Sequence, residues 1–568
     1  MTNLKTQIAE LLHNQIPSLT IENIFEILEV PANTQMGDYA FPCFKLAKEF
    51  KKAPPLIAKE IVDNFPTSEF VDKIENVNAY INIYLNKSWL VEQILSPILT
   101  EKENYGFDNS KSKGNIVIDF SSPNIAKPFH IGHLRSTVIG NSLYKIFEAL
   151  GYNCHGVNHL GDWGTQFGKL MVAYKNYSSK EIIEEKGIEE LLRIYVKFHE
   201  EAKLNPELDD EARSYFTKME KGDEEALELW KWFKEISLNE FERVYKILDV
   251  TFDSYNGEAF YNDKMTPVIE ELEAKNLIEI SEGAKLVRLE EDNMPPCLIT
   301  KNDGSTLYAT RDITAAKYRY DTYNFEKSIY VTALQQNLHF AQVFKVVDKM
   351  GYPWANKMVH VPFGMVSGEG GQSLSTRNGN ILFLEDILTE AIEKTKSIIE
   401  EKNPTLQNKD EVARQVGVGA IIFNDMYNSI IKDVIFSWEQ VLNFEGETGP
   451  NVQYAHARAC SVLRQANLTT PYEKIDFSLL NDEASINLAK ELGKFKSVIR
   501  LAGQKFEPSF IARYAVDVAQ AFNKFYHDNT ILVENASLKE ARLNMVLATK
   551  YTLKNALYLL GIKSPEQM

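Results

Sequence analysis

Cysteine is scarce. The chain has 568 residues and four cysteines, Cys43, Cys154, Cys297 and Cys460, with no C-x-x-C pair among them. That spacing argues against a zinc site or a disulfide framework and suits a reducing compartment. Long apolar runs are also missing: none approaches the ~20 residues needed to cross a bilayer. Residues 1–20 mix Glu10 and other polar side chains among their apolar ones, unlike a signal peptide. A cytoplasmic chain is the expectation. Positive charge is in deficit, with 62 Lys and Arg against 79 Asp and Glu and a net charge of −17. Phosphate backbones are bound by positive charge, so the sum does not announce a nucleic-acid partner. A local basic groove can coexist with acidic surface elsewhere, and composition leaves the partner open. Short-period repeats and low-complexity tracts are absent.

What is present is ordinary globular material, 44% hydrophobic and 25% charged. The length is too great for one hydrophobic core and suits about three domains. Residues 1–110 combine an amphipathic helix pattern (Leu4, Ile8, Leu11, Leu12) with an alternating, strand-like run at 79–85. They read as a small α+β domain, with "NSKSKGN" (109–115) as the linker after it. In residues 111–395, apolar runs at 116–120, 328–332 and 359–361 alternate with helix patterns. This predicts an α/β domain with a parallel sheet. A charged helical stretch, about 178–250, interrupts it and reads as solvated helices inserted at the surface. Residues 396–568 carry apolar side chains at three- and four-residue intervals and predict an α-helical bundle.

One stretch concentrates chemistry. "SSPNIAKPFHIGHLRST" follows the apolar run 116–120 and precedes a helix face of Val138, Ile139, Leu143, Ile146, Phe147 and Leu150, stopped by Gly151. His130 and His133 therefore fall near a helix N-terminus beyond the carboxyl end of a strand, where doubly wound folds bind nucleotides. Backbone N–H groups and the helix dipole favour anions there. Gly132 permits close approach to the backbone, and two imidazoles with Lys127 can donate hydrogen bonds to phosphate oxygens. A lone histidine at a helix start is more often a cap or a packing residue. Two in H-x-G-H, with a lysine upstream, favour the phosphate role. Metal ligation is weakly supported, because no third ligand lies nearby.

"FHIGHLRST" matches the HIGH signature of class I aminoacyl-tRNA synthetases, and "SSPNIAKPFHIGHLRS" resembles the version in the arginyl-tRNA synthetase family. Further pieces agree in order: "GDYAFP" (37–42), "GDWGTQFG" (161–168), "TLYATRD" (306–312), "LQQNLHFAQVF" (334–344), "HVPFGMV" (360–366), "LSTRNGN" (374–380), "NVQYAHAR" (451–458) and "LLGIKSPEQM" (559–568). The resemblance spans nearly the whole chain. It implies a Rossmann-type catalytic domain between an N-terminal α+β tRNA-binding domain and a C-terminal α-helical anticodon-binding bundle. It implies ATP-dependent formation of arginyl-adenylate, then transfer of arginine to the terminal adenosine of its tRNA, with Mg²⁺ assisting, no zinc, and a monomer.

The same resemblance distributes roles. His130, His133 and Lys127 are the implied catalytic residues. Gly132, Ser375, Thr376 and Arg377 join the histidines around ATP. The second class I signature ordinarily carries lysines in K-M-S-K-S; here it reads "SLSTR", without either lysine, and Lys127 is expected to supply the missing charge, with Arg377 as runner-up. Asn124 and Gln336 match positions holding the ends of the amino acid, Glu258 and Asp312 match positions around its guanidinium, which carboxylates bind in bidentate fashion, and Tyr308, one helical turn before Asp312, joins the arginine-binding set. Ala259 stands where the family often has Ser. Tyr454 and Arg458 match the anticodon-reading helix, Met568 the C-terminal end of the family pattern, and Tyr80 and Asn82 the positions that meet the tRNA elbow loop. Two alternatives stay open from the residues: another class I synthetase or H-x-G-H nucleotidyltransferase, and a non-catalytic tRNA-binding paralogue.

Overall fold

The computed structural model describes residues 2–31, 33, 36–127, 129–367 and 383–568. Near the N-terminus, strands β1 (Tyr39–Pro42), β2 (Val71–Val77) and β3 (Tyr80–Leu85) form an antiparallel sheet in the order β1-β3-β2. Ile81 and Ile83 of the central strand are buried. The following helix, Lys87–Glu101, is capped by Asn86, whose side chain accepts the Trp89 N–H.

The central region is built on strand β4 (Asn115–Asp119), helix α1 (Ile131–Ala149) and strand β5 (Asn153–Val157). The inserted helices follow, ending in the long α2 (Glu224–Leu248). Next come a small antiparallel sheet of β6 (Glu279–Ser281), β7 (Ala284–Val287) and β8 (Cys297–Thr300), then α3 (Tyr308–Tyr323), β9 (Phe325–Ala333), α4 (Asn337–Lys349) and β10 (Met358–Phe363). The main sheet is parallel, in the order β10-β9-β4-β5. Ile116, Val117 and Ile118 are wholly buried, because helices cover both faces of a central parallel strand. From β4 the chain crosses through α1 to β5 on one side and returns later to β9 on the other. The carboxyl ends of β4 and β9 thus flank a topological switch point, where open α/β sheets place their ligands. Helix α1 lies so close to β4 that a Cβ on Gly140 would stand 2.2 Å from the Phe120 side chain.

Two long-range ties fix this core. Arg135 of α1 is fully buried, pairs with Asp425 at 2.8 Å and donates to the carbonyls of Gly364 and Lys432. Arg319 of α3 pairs with Asp119 at the end of β4, at 2.7 Å. The inserted stretch is not solvated throughout: Phe233, Ser237, Glu240, Phe241, Val244, Tyr245 and Leu248 of α2 are buried, four of them (Ser237, Glu240, Phe241 and Tyr245) against the loop that follows β4. Their spacing of three and four puts them on one helix face. Beyond the sheet, β11 (Val366–Ser367) pairs with β12 (Val434–Ile435), the one strand in a region where the sequence suggested helices alone among the described residues. The rest of that region is helical, including α5 (Lys409–Tyr427), α6 (Gly449–Gln465), α7 (Ser509–Asp528) and α8 (Ala536–Leu559). Among the described residues no helix is long and apolar enough to cross a membrane.

Candidate active site

The loop leaving β4 is strained and then held. Ser121, Ser122 and Ala126 adopt left-handed φ values of 69°, 45° and 62°, each costing about 1–2 kcal/mol for a residue other than glycine. Side chains from elsewhere compensate. Ser136 Oγ accepts the Ser121 N–H at 2.9 Å, Asn158 Oδ1 accepts the Ser122 N–H at 3.1 Å, and Ser122 Oγ donates to Asp119 at 2.8 Å. Ser121 Oγ also bonds Tyr245 Oη of α2 at 2.8 Å. Asn124, exposed, pairs with Gly161 across this loop.

His130 and His133 turn out to be caps and more than caps. His130 is the N-cap of α1; its Nδ1 accepts the Gly132 N–H at 3.0 Å, and His133 Nδ1 accepts the His130 N–H at 3.1 Å. Each Nδ1 therefore carries no proton, which assigns the ring proton to Nε2 in the neutral form. Burial pushes both imidazoles below their usual value, His133 far below, and the Lys127 charge adds to the effect at both. The rings stand 3.9 Å apart. Two neutral rings can stand that close where two imidazolium cations would repel. The pair thus presents Nε2–H donors without charge, beside the half-buried Lys127, which brings the charge. A Cβ on Gly132 would meet His130 Cε1 at 2.7 Å, so glycine is required here by the folded-over imidazole itself. Phe129 stacks on His133 at 5.0 Å and seals the apolar side.

The carboxylates come from two further elements, the turn at Glu258 and helix α3. Glu258 opens a short turn after Gly257, and Asp162 shapes that turn: its Oδ1 accepts the Ala259 N–H at 2.8 Å and its Oδ2 pairs with Lys234 at 2.6 Å. The bond uses the backbone of residue 259, so alanine there keeps it. Glu258 N–H also donates to the Leu160 carbonyl at 2.9 Å. Burial pushes the Glu258 carboxyl up to about 7; Arg311, 3.8 Å away, opposes the rise, and Asp312 and Asp162 add to it. Asp312 lies in α3 and bonds His339 Nε2 of α4 at 2.5 Å. Burial raises its carboxyl, but His339, His159 and Arg319 outweigh that and leave it below its usual value. Tyr308, the first residue of α3, is 67% exposed, and Gln336, at the end of β9's connection into α4, is exposed too.

Sequence reasoning passed over Arg311, His339, Asp162 and His159. Arg311, His339 and Asp162 sit inside "TLYATRD", "LQQNLHF" and "GDWGTQFG", so the strings themselves carry the signal. His159 is half-buried, its Nδ1 is buried without a hydrogen-bond partner among the described residues, and desolvation lowers its pKa. Ser375, Thr376 and Arg377 lie outside the described residues.

In the C-terminal helical region, Tyr454, Arg458 and Met568 come together. They line a cavity of about 740 Å³ with Asn403, Phe444 and Asn523. The Arg458 guanidinium lies over the rings of Tyr454 (4.8 Å) and Tyr526 (5.2 Å) and donates to Asn523 at 2.5 Å. In the N-terminal sheet, Tyr80 is half-buried and packs edge-on against Phe44 at 5.4 Å, whereas Asn82 is 2% exposed, with Nδ2 unpaired among the described residues.

A parallel sheet with H-x-G-H at its switch point and a helical domain behind it defines a class I aminoacyl-tRNA synthetase, and residues 94–438 match the family model for tRNA synthetases class I (R), catalytic domain. Residues 2–85 match the arginyl tRNA synthetase N terminal domain and residues 452–568 the DALR anticodon binding domain. The chain belongs to the arginyl-tRNA synthetase family. It is 55% identical to an arginine–tRNA ligase of Clostridioides difficile (strain 630) and 54% identical to one of Alkaliphilus metalliredigens (strain QYMF), each over 100% of both chains. Its fold is similar to that of the Thermus thermophilus arginyl-tRNA synthetase, with a TM-score of 0.80 at 26% identity over 95% of this chain and 96% of that one.

Proposed function

We propose that this chain ligates L-arginine to its tRNA in two ATP-driven steps. An arginine carboxylate oxygen attacks the α-phosphorus of ATP, the bond to the β-phosphate breaks, and pyrophosphate leaves with the electron pair. A ribose hydroxyl of the tRNA's 3′-terminal adenosine then attacks the adenylate carbonyl, loses its proton, and AMP departs. Neither step requires a covalent enzyme intermediate, so the protein's work is positioning and charge stabilisation.

In this reading His130 and His133 donate Nε2–H to phosphate oxygens, Gly132 lies against the nucleotide, and Lys127 neutralises charge growing on pyrophosphate. Ser375, Thr376 and Arg377 approach ATP from the second signature. Mg²⁺ arrives with the triphosphate as part of the substrate; among the described residues no group of three or more His, Cys, Asp or Glu is placed to hold a metal. Asn124 and Gln336 hold the amino and carboxyl ends of arginine, and Tyr308, Glu258 and Asp312 its guanidinium. Arg311 and His339, which neighbour those carboxylates now, stand where the substrate cation would compete. Tyr454, Arg458 and Met568 receive the anticodon loop, and Tyr80 and Asn82 the elbow. The domains divide at residues 110 and 395, with the insertion at about 178–250; the protein acts as a cytoplasmic monomer.

The observation that carries the reading is the pair of neutral, backbone-anchored imidazoles at the switch point beyond β4; Glu258 and Asp312, which lie near each other, supply carboxylates suited to a guanidinium. ATP–pyrophosphate exchange, run with each amino acid and with and without tRNA, tests it. Exchange with arginine alone is expected. Exchange with a different amino acid and none with arginine would overturn it.

A further inference from the structure

The backbone around Lys127 is gripped from a distance. Ser237 Oγ accepts the Ala126 N–H at 3.0 Å, and Glu240 Oε1 accepts the Phe129 N–H at 3.2 Å. The two acceptors sit three residues apart on α2, so they project from one face of a single helix. They bracket Lys127 on both sides. Ser237 is fully buried and passes its own hydroxyl proton to the Phe233 carbonyl at 2.9 Å. Glu240 is 5% exposed, and its Oε2 has no hydrogen-bond partner among the described residues. Burial pushes this carboxyl up to about 7.

A half-satisfied buried carboxyl is an expensive way to pack a helix, since an apolar side chain of similar size would avoid the desolvation cost. What a leucine could not do is accept a backbone N–H at a fixed point. That matters here because Ala126, immediately before Lys127, is held at a φ of 62°. Such a conformation persists only where surrounding contacts over-determine it. The Phe129 ring adds an apolar anchor, 5.4 Å from Phe241 and 5.5 Å from Tyr245, both on α2.

We infer that Ser237 and Glu240 are positioning residues for Lys127: α2 is a rigid template that holds the backbone on either side of the lysine so that its ammonium meets the departing pyrophosphate. The inserted helices thereby belong to the chemistry rather than to the surface. This rests on the role proposed for Lys127.

Steady-state ATP–pyrophosphate exchange on the full chain tests it. Glu240→Ala should lower kcat by about 10- to 100-fold, as a misplacement near 1 Å does, with KM for arginine and ATP nearly unmoved. Glu240→Gln, which keeps an acceptor oxygen, should restore most of the rate. Ser237→Ala removes one hydroxyl only, and should lower kcat in the same sense with the melting temperature little changed, so it decides the matter if Glu240→Ala folds poorly. In a Lys127→Ala background, Glu240→Ala should cost less than about twofold more, because the two act as one unit. Wild-type kcat in both Glu240→Ala and Ser237→Ala, with Lys127→Ala crippled, would overturn the template alone. An undiminished loss from Glu240→Ala in the Lys127→Ala background would do the same. A harmless Lys127→Ala would instead overturn the lysine's role.

Discussion

The loop after β4 and the cavity at the C-terminal end both gather rings and cations, and they are built on opposite plans. In the loop almost every polar atom is committed. Each imidazole spends Nδ1 on a backbone N–H, strained serines are tied down by Ser136 and Asn158, and α2 closes over the far side. Around the cavity, Tyr454 and Arg458 stand on a regular helix, and Tyr454 is 40% exposed. The first plan suits groups that must already point at charge developing in a transition state, where reorganisation costs rate. The second suits a surface that meets flexible single-stranded bases by stacking and charge, where adjustment is tolerated. Damage to the loop should therefore appear in kcat, and damage to the cavity in KM.

The largest effect is expected at the imidazoles. His130→Ala and His133→Ala should each slow adenylate formation by roughly 10²- to 10³-fold, the usual cost of losing one preorganised donor. His130→Asn sharpens the point, because asparagine is a good N-cap. It should retain the melting temperature and still lose the rate. Recovery of exchange activity in His130→Asn would mean the cap, and not Nε2–H, is what the reaction needs.

Next comes the charge beside them. Lys127→Ala should cost roughly 10- to 100-fold, the range of a lost charge-assisted bond, and Thr376→Lys in that background should recover part of it. If Arg377→Ala proves crippling and Lys127→Ala mild, Arg377 is the compensating cation.

The arginine pocket should respond to pH. With the Glu258 carboxyl raised to about 7 by burial, a guanidinium binds its ionised form and expels a proton. Below that pH, arginine affinity should rise roughly tenfold per unit, and above it the dependence should flatten. Calorimetry in buffers of differing ionisation enthalpy should show nearly one proton released per arginine at pH 6. No proton release would remove Glu258 from the pocket. For stability the sign is opposite to that of an ion-paired acid. The folded state holds this proton more tightly than the unfolded chain, so the contribution declines as pH rises from the ordinary glutamate value of 4.5 to about 7.

The smallest effect is expected at the cavity. Arg458→Ala should raise KM for tRNA by about fivefold, and the log–log salt slope of tRNA binding should fall by about 1 if the guanidinium meets a phosphate. Equal weakening for a minihelix without an anticodon would place Arg458 elsewhere.

The sequence by itself determined the local frame. Apolar residues at 116–120 announced a strand found at Asn115–Asp119, and the periodic face ending before Gly151 announced the helix Ile131–Ala149. These were legible because strand alternation, helix period and helix stops act over a few residues. The ordered motifs likewise placed the histidines at a helix start. Only the tertiary structure decided what each polar side chain does. Arg135 reads as one more charged helix residue, yet it is buried against Asp425, 290 positions away. Ser237 and Glu240 read as part of a solvated helix, yet each takes a backbone N–H from a loop 111 residues earlier. Asp162 reads as a motif residue, yet it shapes the turn that presents Glu258. Period tells which face of an element is buried, but a buried polar atom must find a partner wherever the folded chain brings one, and that pairing leaves no pattern along the sequence.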